Sequence, residues 1–410
     1  MVQLLGLLVG FVVVRETSSV DFAAYTLALA VLTVSGVAVE AGLAGGMLSV
    51  AHQQPELRHR SRILVNRALR IRRLLSAIVI PAAITTLTIL LTRSRVSTEQ
   101  VIIYSALIAL AILGIAMNGL ILTGLRIARR DRSFQANNII GSALRSIPVL
   151  ILFPLFHPPA FVALGAAVMS YFAQLLLGLY AYRSTTVHPP AEPEIIRNID
   201  RSLKLRARKL LPYNLLLVAQ AQFAYLLLGA LAATVTLATV AALGRYAAAY
   251  SVGATIIVST FAPIVSRMPP DRARRVAATI TGLVFAASIL GVLTIFVTAN
   301  FWLRLLGTPT VTGMRAELTL ILIGAALHAT AMVGGGLQDA IGSVRWLWVY
   351  GPAAVTITTI TLLMTQFLTV TGASVLILVG SLPGLVVTIL RVVTKPATAP
   401  ASRKSTEGDP

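Results

Sequence analysis

Cysteine is absent from the 410 residues, which excludes disulfides, thiolate zinc sites, iron–sulfur clusters and thiol nucleophiles together. Histidine is scarce: the five residues show no HxxxH or HExxH spacing, so neither a metal site nor any other cofactor is expected. Charge is the third deficit. Only 12% of the residues are charged while 57% are apolar, against about 25% charged in an ordinary soluble chain. A soluble core needs a charged shell. Here the charges crowd into short segments between long uncharged runs, the layout of a polytopic membrane protein. A net charge of +20 would suggest nucleic acid in a soluble chain. Because the basic residues alternate with apolar spans, they read as topology signals facing anionic membrane lipids, and nucleic acid is not an expected partner.

A span needs about 20 apolar residues to cross a hydrocarbon core about 30 Å thick. The hydropathy pattern predicts twelve, near 2–14, 22–48, 74–92, 101–125, 134–156, 160–182, 210–232, 240–265, 276–299, 316–337, 346–367 and 372–390. With the N-terminus inside, the cytoplasmic segments hold 27 Lys and Arg: seven from Arg58 to Arg73, four from Arg126 to Arg132, seven from Arg183 to Lys209, four from Arg267 to Arg275, Arg345, and four in the tail. The outer loops hold five, Arg15, Arg93, Arg95, Arg304 and Arg315, and Arg145 and Arg245 lie within or at the mouth of spans. This asymmetry predicts an even number of spans with both termini cytoplasmic. The Pro/Ala/Ser-rich residues 395–410 read as a disordered tail.

Aligning Tyr25 with Tyr246 lays Val20–Ala28 over Ala241–Ala249, each between the first and second span of a six-span half. The expected organisation is an N-terminal half (1–182), a basic cytoplasmic linker (183–209) and a C-terminal half (210–394), with a cavity at the interface of the halves. The first span is short for a helix that must cross, so the sequence predicts that the first helix is truncated or that the true start lies upstream. No cleavable signal peptide is visible, since Met1–Val14 has no basic leader.

Several segments resemble one family. Arg15-Glu16-Thr17-Ser18-Ser19-Val20-Asp21-Phe22-Ala23-Ala24-Tyr25 is similar to the first outer loop, roughly R-L-L-G-P-E-D-F-G-x-Y, of the polysaccharide flippases in the MATE-like exporter superfamily, with Ala23 in place of glycine. Val39-Glu40-Ala41-Gly42-Leu43 resembles the acidic D-x-G-L of the second helix, and Leu122–Arg129 the exit of the fourth. Gly244-Arg245-Tyr246-Ala247-Ala248-Ala249-Tyr250 resembles the G-x-Y-x-x-A-Y that opens the eighth, and Phe261-Ala262-Pro263 its inner end. Two departures stand out: the family's lead into the first helix is missing, and Gln222, Ala224 and Tyr225 replace an Asp/Arg pair of the seventh. The resemblance implies an all-α polytopic membrane protein with about twelve helices in two halves around a central cavity. It also implies a bacterial inner-membrane location, and as partners a lipid-linked oligosaccharide together with polysaccharide polymerases and glycosyltransferases.

A charge at mid-bilayer costs about 2.5–3.5 kcal/mol on insertion scales, so a persistent one faces protein or a watery cavity. Arg145, halfway along the fifth expected span, reads either as a ligand for the pyrophosphate of a lipid-linked sugar or as a snorkelling, helix-pairing arginine. Arg245, at the mouth of the eighth, reads as a phosphate contact or an interfacial anchor. Glu40 is the one acidic residue well inside a span, a coupling-ion site or half of a structural pair with a base such as Arg145. Asn118, Asn214, Gln220, Gln222, Tyr250 and His328 are candidate glycan contacts or interhelical hydrogen-bond partners. Pro81, Pro148, Pro154, Pro212 and Pro263 would free carbonyls toward a cavity.

Three functions fit these residues. The first is translocation of a polyprenyl-diphosphate-linked oligosaccharide by alternating access, which requires no chemistry on the substrate. The second is a MATE-type drug or cation antiporter, which favours acidic cavity residues over the two cations found here. The third is a polyprenyl-dependent glycosyltransferase or polymerase. Its outer-loop acids would have to be Glu16 and Asp21, which have no catalytic partner in sight, so no enzyme is expected.

Overall fold

The computed structural model describes residues 2–53, 61–183, 193–265, 268–307, 311–341, 347–364 and 366–394. Among these the chain forms fourteen α-helices and no strand, arranged in two compact units. The first unit holds α1 (Val2–Glu16), α2 (Ser19–Glu40), α3 (Leu43–Gln53), α4 (Ser61–Arg93), α5 (Thr98–Ile127), α6 (Asp131–Phe156), α7 (Phe161–Arg183) and α8 (Pro193–Leu231). It also takes in the first three turns of α9 (Thr234–Val265) and the short α11 (Ala299–Leu306). The second unit holds the rest of α9, α10 (Pro270–Val297), α13 (Leu347–Met364) and most of α12 (Arg315–Ala340) and α14 (Val370–Val393).

Ten of these helices, α2, α4 to α10, α12 and α14, are long and apolar enough to cross a membrane. The other two expected spans are α1 and α13, of 15 and 18 residues. The outward surface is greasy: Ile78 is 71% exposed, Met169 74% and Leu363 83%. Such side chains on the outside of a helical bundle are stable only against lipid. The chain is therefore a multi-pass membrane protein.

Local chemistry explains where the helices start and stop. Ser18 caps α2: its Oγ accepts the Asp21 N–H at 3.1 Å and donates to Asp21 Oδ2 at 2.9 Å. This is a reciprocal cap built from the segment that resembles the family's first outer loop. Gln100 Nε2 on α5 donates to the other Asp21 oxygen at 3.2 Å. The expected span 22–48 is in fact two helices. Ala41 and Gly42 both take left-handed backbone, at φ 47° and 68°, and the Ala41 N–H closes α2 on the Val37 carbonyl at 2.9 Å, which ends a right-handed helix.

Two segments expected to be loops are largely helical. α4 starts at Ser61 and α8 at Pro193, so basic residues assigned to the connections extend the spans. They do so because one face is apolar. Leu64, Val65 and Ala68 of α4 and Ile199, Leu203 and Ala207 of α8 enter one buried cluster with Met47 and Val50 of α3 and Leu120 and Leu125 of α5. The burial corrects two cation assignments. Arg72, counted with the connecting cations, is 3% exposed, and Arg391, counted with the tail, lies in α14 and is 2% exposed. The disordered-tail expectation falls on 395–410, outside the described residues. The five prolines expected in or near spans all lie inside continuous helices.

α2 is central to the first unit, packing on α4, α5 and α8, while α7 joins α5 to α6 and α6 holds α1. The α5–α6–α7 seam is polar inside. Asn118 Nδ2 donates to Gln174 Oε1 at 2.9 Å, Asn137 Nδ2 to the Gln174 carbonyl at 2.7 Å, and Ser170 Oγ to the Gly141 carbonyl at 2.6 Å. Replacing Gln174 with leucine strands the buried Asn118 amide. We expect it to lower stability by about 1–3 kcal/mol, read as a reduced melting temperature of the detergent-solubilised protein; an unchanged melt would show that the seam carries no stability.

Candidate functional site

The first unit brings Arg145 and Arg245 to one place. Arg145 lies eleven residues from the Phe156 end of α6, and Arg245 eleven from the Thr234 start of α9. At 1.5 Å per residue each is about 16 Å from its helix end, near the middle of a hydrocarbon core about 30 Å thick. Arg245 is thus not at a span mouth as expected, because α9 begins six residues earlier than the hydropathy pattern placed it.

Both guanidiniums gather around α2. Arg245 Cζ stands 5.2 Å from the Phe22 ring centre and 5.8 Å from that of Tyr25, within cation–π range. The charges of Arg245 and Arg145 both act on the Tyr25 hydroxyl, and that of Arg245 also on the Tyr225 hydroxyl of α8. Tyr171 of α7 is a further neighbour of Tyr25. Tyr25 itself is 6% exposed.

α1 closes one side by what it omits. A β-carbon on Gly6 would stand 3.4 Å from Arg145 Nη2, and one on Gly10 would stand 3.1 Å from Arg245 Cδ. Residues four apart share a helix face, so a single Gly-xxx-Gly face of α1 leaves room for both arginines. Among the described residues no carboxylate lies within ion-pair distance of either. Arg245 Nε is buried with no hydrogen-bond partner. Arg245, held against two aromatic faces, and Arg145, whose charge reaches the same Tyr25 hydroxyl, have no carboxylate against them among the described residues, an arrangement that can receive an anion.

The other candidates lie elsewhere. Asn118 is buried in the α5–α7 seam with Gln174. Asn214, Gln220 and Gln222 are half-buried along α8. Tyr250 belongs to the second unit, where its hydroxyl donates to the Ser288 carbonyl at 3.4 Å; His328 is half-buried on α12 in the same unit. Glu40 is the exposed last residue of α2. It stands fifteen residues, about 22 Å of helix, from Tyr25, so Arg145 is not its partner. Its charge acts instead on Arg72, whose Nη1 donates to the Ala116 carbonyl of α5 at 2.5 Å.

Sequence reasoning missed Phe22, Tyr25, Tyr225, Gly6, Gly10 and Arg72. The small-residue spacing in Gly6-Leu7-Leu8-Val9-Gly10 was the one readable signal for α1. Phe22 and Tyr25 were legible only as positions of the family-like outer-loop segment, and Tyr225 had no signal, since an aromatic in an apolar run reads as core.

No family model and no curated protein sequence matches this chain. Its fold does match solved structures. An inward-facing multidrug resistance MATE family transporter of the MOP superfamily superposes at TM-score 0.68 with 15% identity, covering 96% of this chain and 94% of the other. The lipid II flippase MurJ in an inward closed conformation gives 0.69 at 10%, covering 96% and 86%. The VcmN MATE transporter of Vibrio cholerae gives 0.61 at 15%, covering 95% and 92%. The chain has the MATE-like fold.

The glycine clearance is testable. Gly10→Val should push Arg245 off the Phe22 and Tyr25 faces and cost at least the cation–π contact, about 0.5–2 kcal/mol. A melting temperature at or above that of the unaltered protein would mean that the arginine does not rest there.

Proposed function

We propose that this protein is a flippase of the bacterial cytoplasmic membrane. It carries a polyprenyl-diphosphate-linked oligosaccharide from the inner to the outer leaflet by alternating access, with both termini cytoplasmic. The observation that carries the reading is the Arg145–Arg245 pair at mid-membrane depth, with no carboxylate of the described residues within ion-pair distance of either. Each arginine costs about 2.5–3.5 kcal/mol to place there. A diphosphate diester offers one negative charge per phosphate, which two guanidiniums can match with paired, charge-assisted hydrogen bonds. The faces of Phe22 and Tyr25 hold Arg245 in place without neutralising it. Movement between leaflets breaks no bond, so the reading asks for no catalytic group. A cationic drug would be repelled from the same place, which sets this reading ahead of a drug antiporter of the same fold.

In a strain relying on Arg145→Ala or Arg245→Ala, lipid extracts should accumulate the complete lipid-linked oligosaccharide while the protein inserts at normal levels. Arg145→Lys should retain part of the export, since it keeps the charge and loses the bidentate geometry. An unchanged lipid pool in the double alanine variant would remove these residues from the site, and a rise in sensitivity to cationic drugs would favour antiport.

The cysteine-free chain gives a direct test of orientation. A membrane-impermeant maleimide on intact cells should label Thr98→Cys, at the start of α5, and spare Arg132→Cys, at the start of α6, until the cells are opened. The opposite pattern would invert the topology.

A further inference from the structure

We propose that the membrane-proximal part of α8 carries a binding surface for the phosphate headgroups of anionic lipids, separate from the Arg145–Arg245 site and independent of what that site transports. α8 begins at Pro193, well ahead of its apolar stretch Asn214–Leu231. The preceding turns have two faces. Ile199, Leu203 and Ala207, four residues apart, are buried against α3 and α4. The opposite face exposes Arg197, Arg201, Lys204 and Arg208, whose spacing of four, three and four residues makes one stripe about 16 Å long.

The four cations share one open face of α8 with Ile196, Asp200 and Leu205. Its one carboxylate, Asp200, is engaged by Arg67 of α4 at 3.4 Å, so the cations retain their excess of charge. Leu205 is 53% exposed between them. Cations interleaved with apolar side chains suit a ligand that brings a phosphate and an alkyl chain together, which a soluble phosphate does not. The stripe also ends at Arg208, two residues before the apolar run that starts at Leu210, which sets its upper end at the headgroup layer.

The experiment uses the purified full-length protein in detergent, titrated with phosphatidylglycerol, with phosphatidylcholine as the zwitterionic control and sodium pyrophosphate as the soluble anion. Native mass spectrometry or lipid-dependent melting reads the binding. The Arg201→Glu/Lys204→Glu variant should bind phosphatidylglycerol at least tenfold more weakly, with its lipid-free melting temperature unchanged, because both side chains are exposed. Leu205→Gln should weaken phosphatidylglycerol and leave pyrophosphate alone, and Arg304→Ala, at an exposed cation of α11, should bind phosphatidylglycerol as the unaltered protein does. Undiminished lipid binding in the double variant, equal binding of phosphatidylcholine, or pyrophosphate binding that is as tight as that of the lipid and is lost in the double variant would each overturn the proposal.

Discussion

The constraint on which this structure depends is the cost of an ion in hydrocarbon. A guanidinium at mid-membrane keeps its charge and must find polar or polarisable company inside the bundle. Arg145 and Arg245 find it around α2, and the surroundings are arranged for them: two aromatic faces under Arg245, and a glycine face of α1 that leaves room for both. Among the described residues neither arginine has a carboxylate within ion-pair distance. The proposed reading asks for an anion brought by the ligand.

Arg72 shows the other way of meeting the same cost. It is buried without an adjacent carboxylate, but its Nη1 donates to a backbone carbonyl of α5 and Glu40 acts on it from the end of α2. Such an arginine ties helices together and offers little to a ligand. Arg72 differs from Arg245 in having a backbone carbonyl on Nη1 and the charge of Glu40, although the Nε of both is buried without a hydrogen-bond partner. Asn118 likewise gives its Nδ2 to Gln174 inside the α5–α7 seam.

At the membrane-proximal ends the balance changes, because water and headgroups screen charge. There α4 and α8 run past their spans as two-faced helices, burying leucine and isoleucine against α3 and turning cations outward. The basic segments therefore do more than set orientation, since their apolar faces extend the core beyond the spans.

Much was legible in the sequence. The deficit of charge and the twelve apolar runs decided a polytopic helical membrane protein, because hydrocarbon admits few alternatives for a backbone that must satisfy its own hydrogen bonds. Arg145 and Arg245 stood out for the same reason: a charge in an apolar run is conspicuous wherever it falls. What tertiary structure alone decided was company. Hydropathy is summed along one helix, whereas the face a side chain meets belongs to another, distant in sequence. That Gly6 and Gly10 open onto two arginines of α6 and α9, that the charges of both reach Tyr25, and that Arg72 and Arg391 are buried while counted as connecting or tail cations are facts about neighbours. A linear pattern carries no record of neighbours, so packing had to supply them.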